Sequence, residues 1–425
     1  MTSSPAQTAL QALELAQAGK FAELTERFAP QLRALVSPES FRDAWDAEVG
    51  SRGPVTAVGA PVSEPGGPGV TVVRIPLSCE RGDMAVVVSV ADQGWLVGVQ
   101  LLPAAAAGPT GPWQPPAYAD PAAFSEQEVT VGTGPLAVPG TLSLPHGPGP
   151  RPGLVLLPGS GPNDRDETIG RNKPLKDLAW GLATSGVAVL RFDKVTRAHP
   201  REVVADRGFT VSDEYVPAAV AGIRLLQQQP GVDPARVFVA GHSLGGSVAP
   251  RVAEAEPSVA GLVIMAGGAE PLHWAAVRQL RYLASLGPGR AAASEAGIEA
   301  MTRQAELIDS PGLTPDTPAA DLPFGIPAPY WLDLRGYDPP AAAAAAGKRI
   351  FIAQGGRDYQ ATVAGDLARW QAALAGRPGV TIRVYDADNH LFFPGEGASS
   401  PAEYDPPQHM DPAVVADIAG WLLAA

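Results

Sequence analysis

The chain contains very little cysteine and no long apolar run, and both absences limit where it can function. Its single cysteine, Cys79, cannot form an internal disulfide, and its position in a β-branched run predicts an inert core thiol. No apolar stretch reaches the ~20 residues that span a bilayer. The N-terminus also lacks the cationic and apolar segments of a secretion signal. We therefore expect a cytoplasmic protein with no membrane partner.

Basic residues are scarce as well. Lys and Arg number 31 against 44 Asp and Glu, so the net charge is −13, which is the wrong sign for holding a phosphate backbone. We expect no nucleic-acid partner. Although there are 47 Gly and 45 Pro, 45% of the residues are hydrophobic and only 18% are charged, which predicts a loop-rich globular protein. A length of 425 residues predicts two or three domains.

The first part of the chain changes its apolar period near Val55. Before that residue apolar side chains recur at three- and four-residue steps, and Ser37 predicts the cap of a helix that runs through Trp45. After it the step is two residues, which predicts strands. Residues 1–102 therefore predict a small α+β domain with an antiparallel sheet, which would serve in forming a homodimer or in shaping a pocket. The proline-rich residues 103–122 predict an extended linker.

Residues 123–425 alternate between short apolar strands and helices. This order is typical of an α/β fold in which helices cover both faces of a mostly parallel sheet. Residues 267–347 interrupt the alternation with an apolar helical stretch from His273 to Leu286 and a proline-rich tail. An insertion of this size predicts a lid or pocket wall over the strand ends. Asp411 and Pro412 predict the start of the last helix.

The motif Gly241-His242-Ser243-Leu244-Gly245 lies between a predicted strand and a predicted helix. A sharp turn of this kind forces the serine into a strained backbone conformation and leaves room only for glycine beside it. The Ser243 hydroxyl would then stand above the sheet at a helix N-terminus, as a nucleophile does. A serine that merely caps a helix is the alternative, but G-x-S-x-G occurs only once in the chain and has the correct flanks.

A serine hydroxyl needs a base, and the chain offers six histidines. His390 is the best placed, because it follows the last predicted strand, where this architecture supplies its base in the chain order Ser, Asp, His. His409 is the second candidate, although a histidine in a surface loop is the plainer interpretation. His242 is next to the nucleophile on the tight turn, so its side chain should point elsewhere.

The base in turn needs a carboxylate that fixes its tautomer. Asp358 follows the predicted strand Ile350–Ala353 and a short turn, and it is the candidate at the end of a strand. An aspartate that only starts a turn is the alternative interpretation. Asp386 and Asp388 are the other carboxylates available, but both are close in sequence to His390 and poorly placed to orient it from below.

Acyl transfer also requires donors for a developing oxyanion. The backbone N–H of Leu244 is one candidate, and the other comes from the loop that follows the strand Gly153–Leu157. In that loop Ser160 N–H is preferred to Gly161 N–H. The loop is not a phosphate cradle, because the chain has neither G-x-G-x-x-G nor a P-loop with its lysine there.

Charged residues continue this loop and end the next strand. Arg165 and Asp166 could select a substrate, but mutual salt bridges that hold the loop are at least as consistent with the alternating charge. Arg191 and Lys194 are ambiguous in the same way. We therefore treat Arg165 and Asp166 as structural and leave both interpretations of Arg191 and Lys194 open.

Taken together these stretches form a specific set: Gly159 to Asp166, Leu190 to Lys194, Gly241 to Gly246 with Ala249-Pro250, Gln354 to Tyr359, and Asn389 to Phe392. The set resembles the bacterial serine esterases of the α/β-hydrolase superfamily, in the branch that carries a small N-terminal domain. The resemblance implies an α/β-hydrolase fold, a triad of Ser243, Asp358 and His390, and carboxylesterase activity on short acyl chains. It departs after Lys194, where relatives often continue with Arg-Gly and this chain has Val195.

The resulting hypothesis is two-step hydrolysis of a small-molecule ester through an acyl-enzyme, with no metal or organic cofactor. A peptidase or acyltransferase with the same triad is the first alternative, although residues 1–102 show no repeat of the kind that builds a propeller over a peptide site. A catalytically silent binding protein with a hydrolase fold is the second. The presence of nucleophile, acid and base candidates argues against it.

Overall fold

The computed structural model describes residues 4–67, 69–103, 113–286 and 295–424. The chain divides into two compact units. The first contains Met1–Gly111, Ala276–Leu307 and Ala319–Gly325, and the second contains Pro112–Ala275, Ile308–Pro318 and Ile326–Ala425. Residues 104–112 of the predicted linker and residues 287–294 of the predicted insertion lie outside the described residues. The domain boundaries inferred from the sequence stay a prediction.

The first unit begins with helices and continues as an antiparallel sheet. The helices are Pro5–Gln17 (α1), Phe21–Thr25 (α2), Pro30–Leu35 (α3) and Pro38–Arg52 (α4). The strands are Val55–Val58 (β1), Val62–Gly67 (β2), Val70–Cys79 (β3), Met84–Ala91 (β4) and Leu96–Pro103 (β5). Neighbours in this sheet pair antiparallel in the order β1-β3-β4-β5, with β2 also on β3. The predicted small β-rich domain with its antiparallel sheet is therefore present.

Local signals explain where these helices start and end. Ser4 and Gln7 form a capping box that begins α1, a helix the apolar pattern did not predict. Ser37 caps α4 as predicted, but α4 continues past Trp45 to Arg52 and ends at Gly53, whose φ is 79°. Cys79 is buried in the core of this unit, as expected of an inert thiol. The predicted homodimer through residues 1–102 stays a prediction.

The second unit is built on an eight-stranded sheet. Its strands are Phe124–Val131 (β6), Val138–Pro145 (β7), Arg151–Leu157 (β8), Ala188–Phe192 (β9), Val232–His242 (β10), Gly261–Met265 (β11), Arg349–Gly355 (β12) and Val380–Tyr385 (β13). Their order is β13-β12-β11-β10-β8-β9-β7-β6. Strands β8 to β13 pair parallel, and β7 joins β9 and β6 antiparallel. The mostly parallel sheet is confirmed.

The remaining helices follow along the chain. They are Pro174–Thr184 (α5), Val195–Ala198 (α6), Pro200–Ala205 (α7), Val211–Gln227 (α8), Leu244–Ala255 (α9), Leu272–Ser285 (α10), Glu295–Asp309 (α11), Ala328–Arg335 (α12), Pro339–Ala346 (α13), Ala368–Ala373 (α14) and Pro412–Leu423 (α15). Among them, the parts of α10 and α11 that lie within residues 276–307 belong to the first unit. A π-helical turn, Val363–Leu367, precedes α14. Among the described residues no helix combines the length and apolar content needed to cross a bilayer.

The strand side chains explain why helices lie on both faces. Val155 and Leu157 of β8 join the core formed with α8 and α9, whereas Leu154 and Leu156 of the same strand join the core formed with α5 and α15. Successive side chains of a strand point to opposite faces, so a strand that is apolar throughout needs cover on both. Asp411 caps α15, as the sequence predicted, by accepting from Ala413 N–H at 2.7 Å.

The predicted insertion contains more helix than its prolines suggested. Helix α10 corresponds to the predicted apolar helix, but α12 and α13 lie in the stretch expected to be a proline-rich tail. Pro339 and Pro340 stand in the first turn of α13, where a missing N–H costs nothing, and Asp338 caps that helix. The prolines therefore start a helix here. The lid role of residues 267–347 stays a prediction.

The strand order of the second sheet predicts a crevice at the carboxyl ends of its central strands. Strand β8 lies between β9 and β10, so the chain leaves β8 toward one side and returns on the other. At such a switch point the loops after the two strands diverge and leave an opening at their carboxyl ends. Strand β8 ends at Leu157 and β10 ends at His242. The residues that follow them are the ones that line this opening.

Candidate active site

Ser243 occupies the turn between β10 and α9. Its backbone has φ 52° and ψ −119°, a strained conformation for a residue that is not glycine. Its N–H donates to the Met265 carbonyl at 2.9 Å, which fixes the turn against β11. Strain held in place by surrounding hydrogen bonds is characteristic of functional positions. Ser243 is partly exposed, whereas the residues on both sides of it are buried.

Two glycines make this turn sterically feasible. A Cβ on Gly241 would lie 2.1 Å from the Gly245 carbonyl oxygen, and one on Gly245 would lie 2.5 Å from the Leu157 carbonyl oxygen. Both distances are far below any real contact, and both neighbours are backbone atoms that cannot rotate away. The G-x-S-x-G spacing is therefore a packing requirement of this turn.

Asp358 and His390 are brought together from the ends of β12 and β13. His390 Nδ1–H donates to Asp358 Oδ2 at 2.7 Å, and the two side chains are 5% and 0% exposed. The other carboxylate oxygen, Oδ1, accepts from the N–H groups of Gln360 and Ala361 at 2.7 and 3.0 Å. Because Nδ1 is occupied by the carboxylate, Nε2 is the ring nitrogen left to exchange a proton.

The loop that carries His390 is fixed by its neighbour Asn389. The Asn389 side-chain oxygen accepts from the N–H groups of Leu391 and Phe393 at 3.0 and 3.2 Å. Its amide donates to Glu403 Oε2 at 2.9 Å. These bonds hold the imidazole at a defined height above the strand ends, as a base requires.

The loop after β8 lies directly against the turn that carries Ser243. A Cβ on Gly159 would be 3.2 Å from Ser243 Cβ. In the described part of the chain the N–H of Ser160 has no acceptor, so it is free to receive a negative oxygen. Leu244 is the first residue of α9, and its N–H has no partner inside the helix. One sequence-predicted donor thus begins a helix and the other lies in the loop after β8, and both adjoin Ser243; their role and the choice between Ser160 and Gly161 stay predictions.

His242 and Glu167 form a buried pair that the sequence analysis missed. The Nδ1 of His242 lies 2.9 Å from Glu167 Oε2, and its Nε2–H donates to the His390 carbonyl at 2.9 Å. Burial alone would lower the pKa of His242, but Glu167 and the His390 carbonyl outweigh it, so the net pKa is raised above its ordinary value. The His242 ring is bonded to Glu167 and to the His390 backbone. His242 thus links its own turn to the loops that carry Glu167 and His390, a role that only the structure reveals.

The charged loop residues pair with charged residues outside the loop, not with one another. Arg165 bonds Asp193 at 2.9 Å and Glu128 at 2.6 Å, and Asp166 bonds Lys173 at 2.8 Å and also contacts Arg191. Salt bridges therefore hold the loop, as the structural interpretation of Arg165 and Asp166 expected, but the expectation that these bridges are mutual was wrong. Arg191 takes part in the same network.

His409 is not the plain surface histidine that we expected. Its Nδ1 lies 3.1 Å from both carboxylate oxygens of Asp177, a fully buried side chain. Asp177 also accepts from Trp113 Nε1 at 2.9 Å and from Met410 N–H at 3.1 Å. Burial is the main reason that the pKa of Asp177 is raised. His409 thus compensates a buried carboxylate, which the local sequence could not reveal because Asp177 lies on α5.

Comparison with known proteins identifies the family of the chain. A sequence model of the alpha/beta hydrolase family matches residues 154–405, more than half of the chain. The chain belongs to the alpha/beta hydrolase family. The matched region spans β8 to the loop beyond β13, and so includes Ser243, Asp358 and His390.

One curated relative aligns across most of this alpha/beta hydrolase. It is the esterase EstD of Thermotoga maritima, 36% identical over 352 residues, which are 83% of this chain and 79% of the relative. Solved structures give more distant matches. Est1E from Butyrivibrio proteoclasticus has a TM-score of 0.45 at 15% identity, covering 70% of this chain and 99% of its own. An esterase from Pyrobaculum calidifontis has a TM-score of 0.44 at 15% identity, covering 71% and 85%.

Asp388, one of the alternative carboxylates, makes no hydrogen bond to the His390 ring among the described residues. It is fully buried, and in the described chain no N–H group donates to either of its carboxylate oxygens. Burial, together with the nearby Asp411 carboxylate, raises the pKa of Asp388 to about 7. Asp386, the other alternative, is exposed. Of the three candidate carboxylates, Asp358 is the one that contacts the His390 ring.

The raised pKa of Asp388 predicts a pH-dependent stability. Between the ordinary aspartate pKa of about 3.9 and about 7, the folded state binds a proton that the unfolded state has lost. Stability therefore falls as the pH rises through this range and stays lower above it. We expect Asp388→Asn, which cannot ionise, to gain about 3 °C or more in Tm over the wild type at pH 8 and much less at pH 5. Thermal unfolding at both pH values measures this, with exposed Asp386→Asn as the control. Parallel pH profiles for the wild type and Asp388→Asn would rule it out.

Proposed function

We propose that this protein hydrolyses short-chain carboxylic esters by two-step acyl transfer through Ser243, His390 and Asp358. The chain is a carboxylic ester hydrolase by its family and by its relative EstD, which is named an esterase and aligns over most of both chains. The observation that carries the proposed triad is the buried 2.7 Å bond between His390 Nδ1 and Asp358 Oδ2. It lies at the carboxyl ends of the same parallel sheet that presents the strained Ser243.

Each proposed role follows from the chemistry of the group. Ser243 Oγ attacks the acyl carbon while His390 Nε2 accepts its proton, and Asp358 stabilises the imidazolium that forms. The N–H groups of Ser160 and Leu244 receive the developing oxyanion. When the tetrahedral intermediate collapses, the alcohol leaves with the proton from His390. Water then attacks the acyl-enzyme with His390 again as base, and the carboxylic acid departs as Ser243 regains its proton.

A series of nitrophenyl esters tests both the activity and the preference for short chains, which rests on the family resemblance of the motifs. We expect kcat/KM to be highest for acyl chains of about two to six carbons and to fall at least about tenfold by ten carbons, because a pocket fitted to a short acyl chain excludes the added methylenes. A maximum at eight or more carbons would contradict the short-chain part of the proposal.

Two companion measurements separate this proposal from the other two hypotheses. Preferential cleavage of a peptide anilide over nitrophenyl butyrate would favour a peptidase. Failure of a fluorophosphonate probe to label Ser243, together with no ester hydrolysis, would favour a silent binding protein. Labelling confined to the peptide that contains Ser243, with turnover of butyrate ester, is the expected result.

A further inference from the structure

The backbone of Gly159 is bonded to charged side chains on both of its polar groups. Its N–H donates to Glu167 Oε1 at 2.7 Å. Its carbonyl oxygen accepts from Lys194 Nζ at 2.9 Å, from Tyr215 OH at 2.8 Å and from Asn163 Nδ2 at 3.1 Å. A carbonyl with three donors, one of them an ammonium, is held more firmly than an ordinary loop carbonyl.

Lys194 is an unusual lysine because it is fully buried, at 1% exposure. Its ammonium has three protons and three partners: Gly159 O at 2.9 Å, Tyr215 OH at 2.7 Å and Glu214 Oε1 at 2.9 Å. Burial lowers the pKa of Lys194, and the Glu214 carboxylate works in the opposite direction. A buried charge persists only where every bonding position is satisfied, and here one of those positions is the carbonyl beside the nucleophile.

The geometry of the peptide bond links the orientation of the Gly159 carbonyl to that of the Ser160 N–H. The carbonyl of Gly159 and the N–H of Ser160 belong to one peptide, and in a trans peptide the two point in opposite directions. The cis bond among the described residues is Gly149–Pro150, so the peptide at Ser160 is trans. Fixing the carbonyl on Lys194 and Tyr215 therefore also fixes the direction of the Ser160 N–H, which is the donor without an acceptor.

We propose that Lys194 and Tyr215 are positioning residues that hold the Gly159–Ser160 peptide so that the Ser160 N–H meets the oxyanion of the transition state. This inference rests on the proposed function. Glu214 lies beside the Lys194 ammonium, so these two charges cancel at long range. Lys194 therefore acts by orienting and polarising the Gly159–Ser160 peptide, not through a long-range field. Neither side chain needs to touch substrate.

A pair of matched tyrosine variants tests this role. Tyr215→Phe removes the hydroxyl that bonds Gly159 O, whereas Tyr330→Phe removes a hydroxyl that bonds Glu214 Oε2 at 2.6 Å in the same network. Both tyrosines are buried, and each variant loses one oxygen atom. We expect Tyr215→Phe to lower kcat about tenfold with KM unchanged, since an oxyanion donor acts in the transition state and its complete removal costs about 10²–10³. Tyr330→Phe should leave kcat within about twofold.

The readout that separates positioning from mere stability is binding of an oxyanion analogue. A trifluoromethyl ketone accepts Ser243 Oγ at its carbonyl, its oxygen becomes the oxyanion, and the serine proton passes to His390. We expect its inhibition constant to rise for Tyr215→Phe by the same factor by which kcat/KM falls, and to stay unchanged for Tyr330→Phe. Lys194→Met should show a larger effect in the same direction. If that variant fails to fold, the tyrosine pair still decides.

Two results would overturn the inference: equal kinetic losses in Tyr215→Phe and Tyr330→Phe, or a raised KM with unchanged kcat and unchanged inhibition in Tyr215→Phe. The Ser243→Ala variant, measured in the same assays, distinguishes a failure of this inference from a failure of the proposed function. Hydrolysis that persists in Ser243→Ala removes the triad itself. Hydrolysis that is lost in Ser243→Ala, with the two tyrosine variants alike, removes only the role of Lys194 and Tyr215.

Discussion

Replacing Ser243 with alanine is expected to lower kcat for nitrophenyl butyrate by about 10⁶-fold, by analogy with the loss of the nucleophile in other serine hydrolases. The residue sits at φ 52° on the turn that Gly241 and Gly245 make sterically possible, so the hydroxyl that this turn presents is its own. The remaining slow hydrolysis would come from substrate binding and the oxyanion donors alone. Steady-state rates and fluorophosphonate labelling of the purified variant measure the effect.

Ser185→Ala is the matched control for that experiment. Its hydroxyl bonds the Gly181 carbonyl at 2.9 Å at the end of α5, so the variant loses one hydroxyl outside the proposed site. We expect it to keep its rate within about twofold. If Ser243→Ala retained a tenth of the wild-type rate, or if the probe still labelled the protein, the nucleophile would have to be sought elsewhere.

Asp358→Asn is expected to lower kcat by about 10⁴-fold while the protein keeps its fold, as the equivalent change does in a serine-protease triad. The carboxylate lies 2.7 Å from His390 Nδ1, and in the proposed mechanism this bond favours the tautomer in which Nε2 accepts the serine proton. An amide at this position can donate to Nδ1 and so favour the wrong tautomer. The loss should appear in kcat, because the carboxylate acts on the protonated histidine of the transition state.

The exposed Asp386 provides the control, because it is one of the other two carboxylates close in sequence to the base. Asp386→Asn should leave kcat within about twofold. Circular dichroism and Tm of Asp358→Asn check that the buried loop is intact, because Asp358 Oδ1 also accepts two backbone N–H groups there. A full-rate Asp358→Asn variant, or an equal loss in Asp386→Asn, would exclude Asp358 as the partner of His390.

The proposed nucleophile, base and acid could be inferred from the sequence because each lies in a locally determined setting. G-x-S-x-G encodes its own turn, since a Cβ on Gly241 or Gly245 would meet backbone at 2.1 or 2.5 Å. The apolar strands predicted a parallel sheet, and parallel strands end at one edge, so residues after β10, β12 and β13 had to meet there. Helix α15 was predicted from its cap for the same reason: the signal lies within a few residues.

Helices α1 and α13 are among those that the sequence analysis did not predict, and they show the limit of apolar periodicity as a signal. Helix α13 consists of two prolines and six alanines, so it has no amphipathic pattern. In both helices the capping residue, Ser4 or Asp338, was the stronger signal. The charged loop was ambiguous for another reason. From the sequence, Arg165 and Asp166 could face either the substrate or charged partners elsewhere in the fold. Only the positions of those partners in the structure decide between the two.

The surroundings of Gly159 were decided by tertiary structure alone. Its carbonyl is bonded to Lys194, 35 residues away, and to Tyr215, 56 residues away. The Glu167 that binds its N–H pairs with His242, 75 residues further along the chain. Over such separations no turn or helix period constrains which side chains meet, because only the packed sheet and its helices bring them together. The sequence alone thus predicted the proposed reacting groups, whereas the tertiary structure decided which buried charged residues hold them in place.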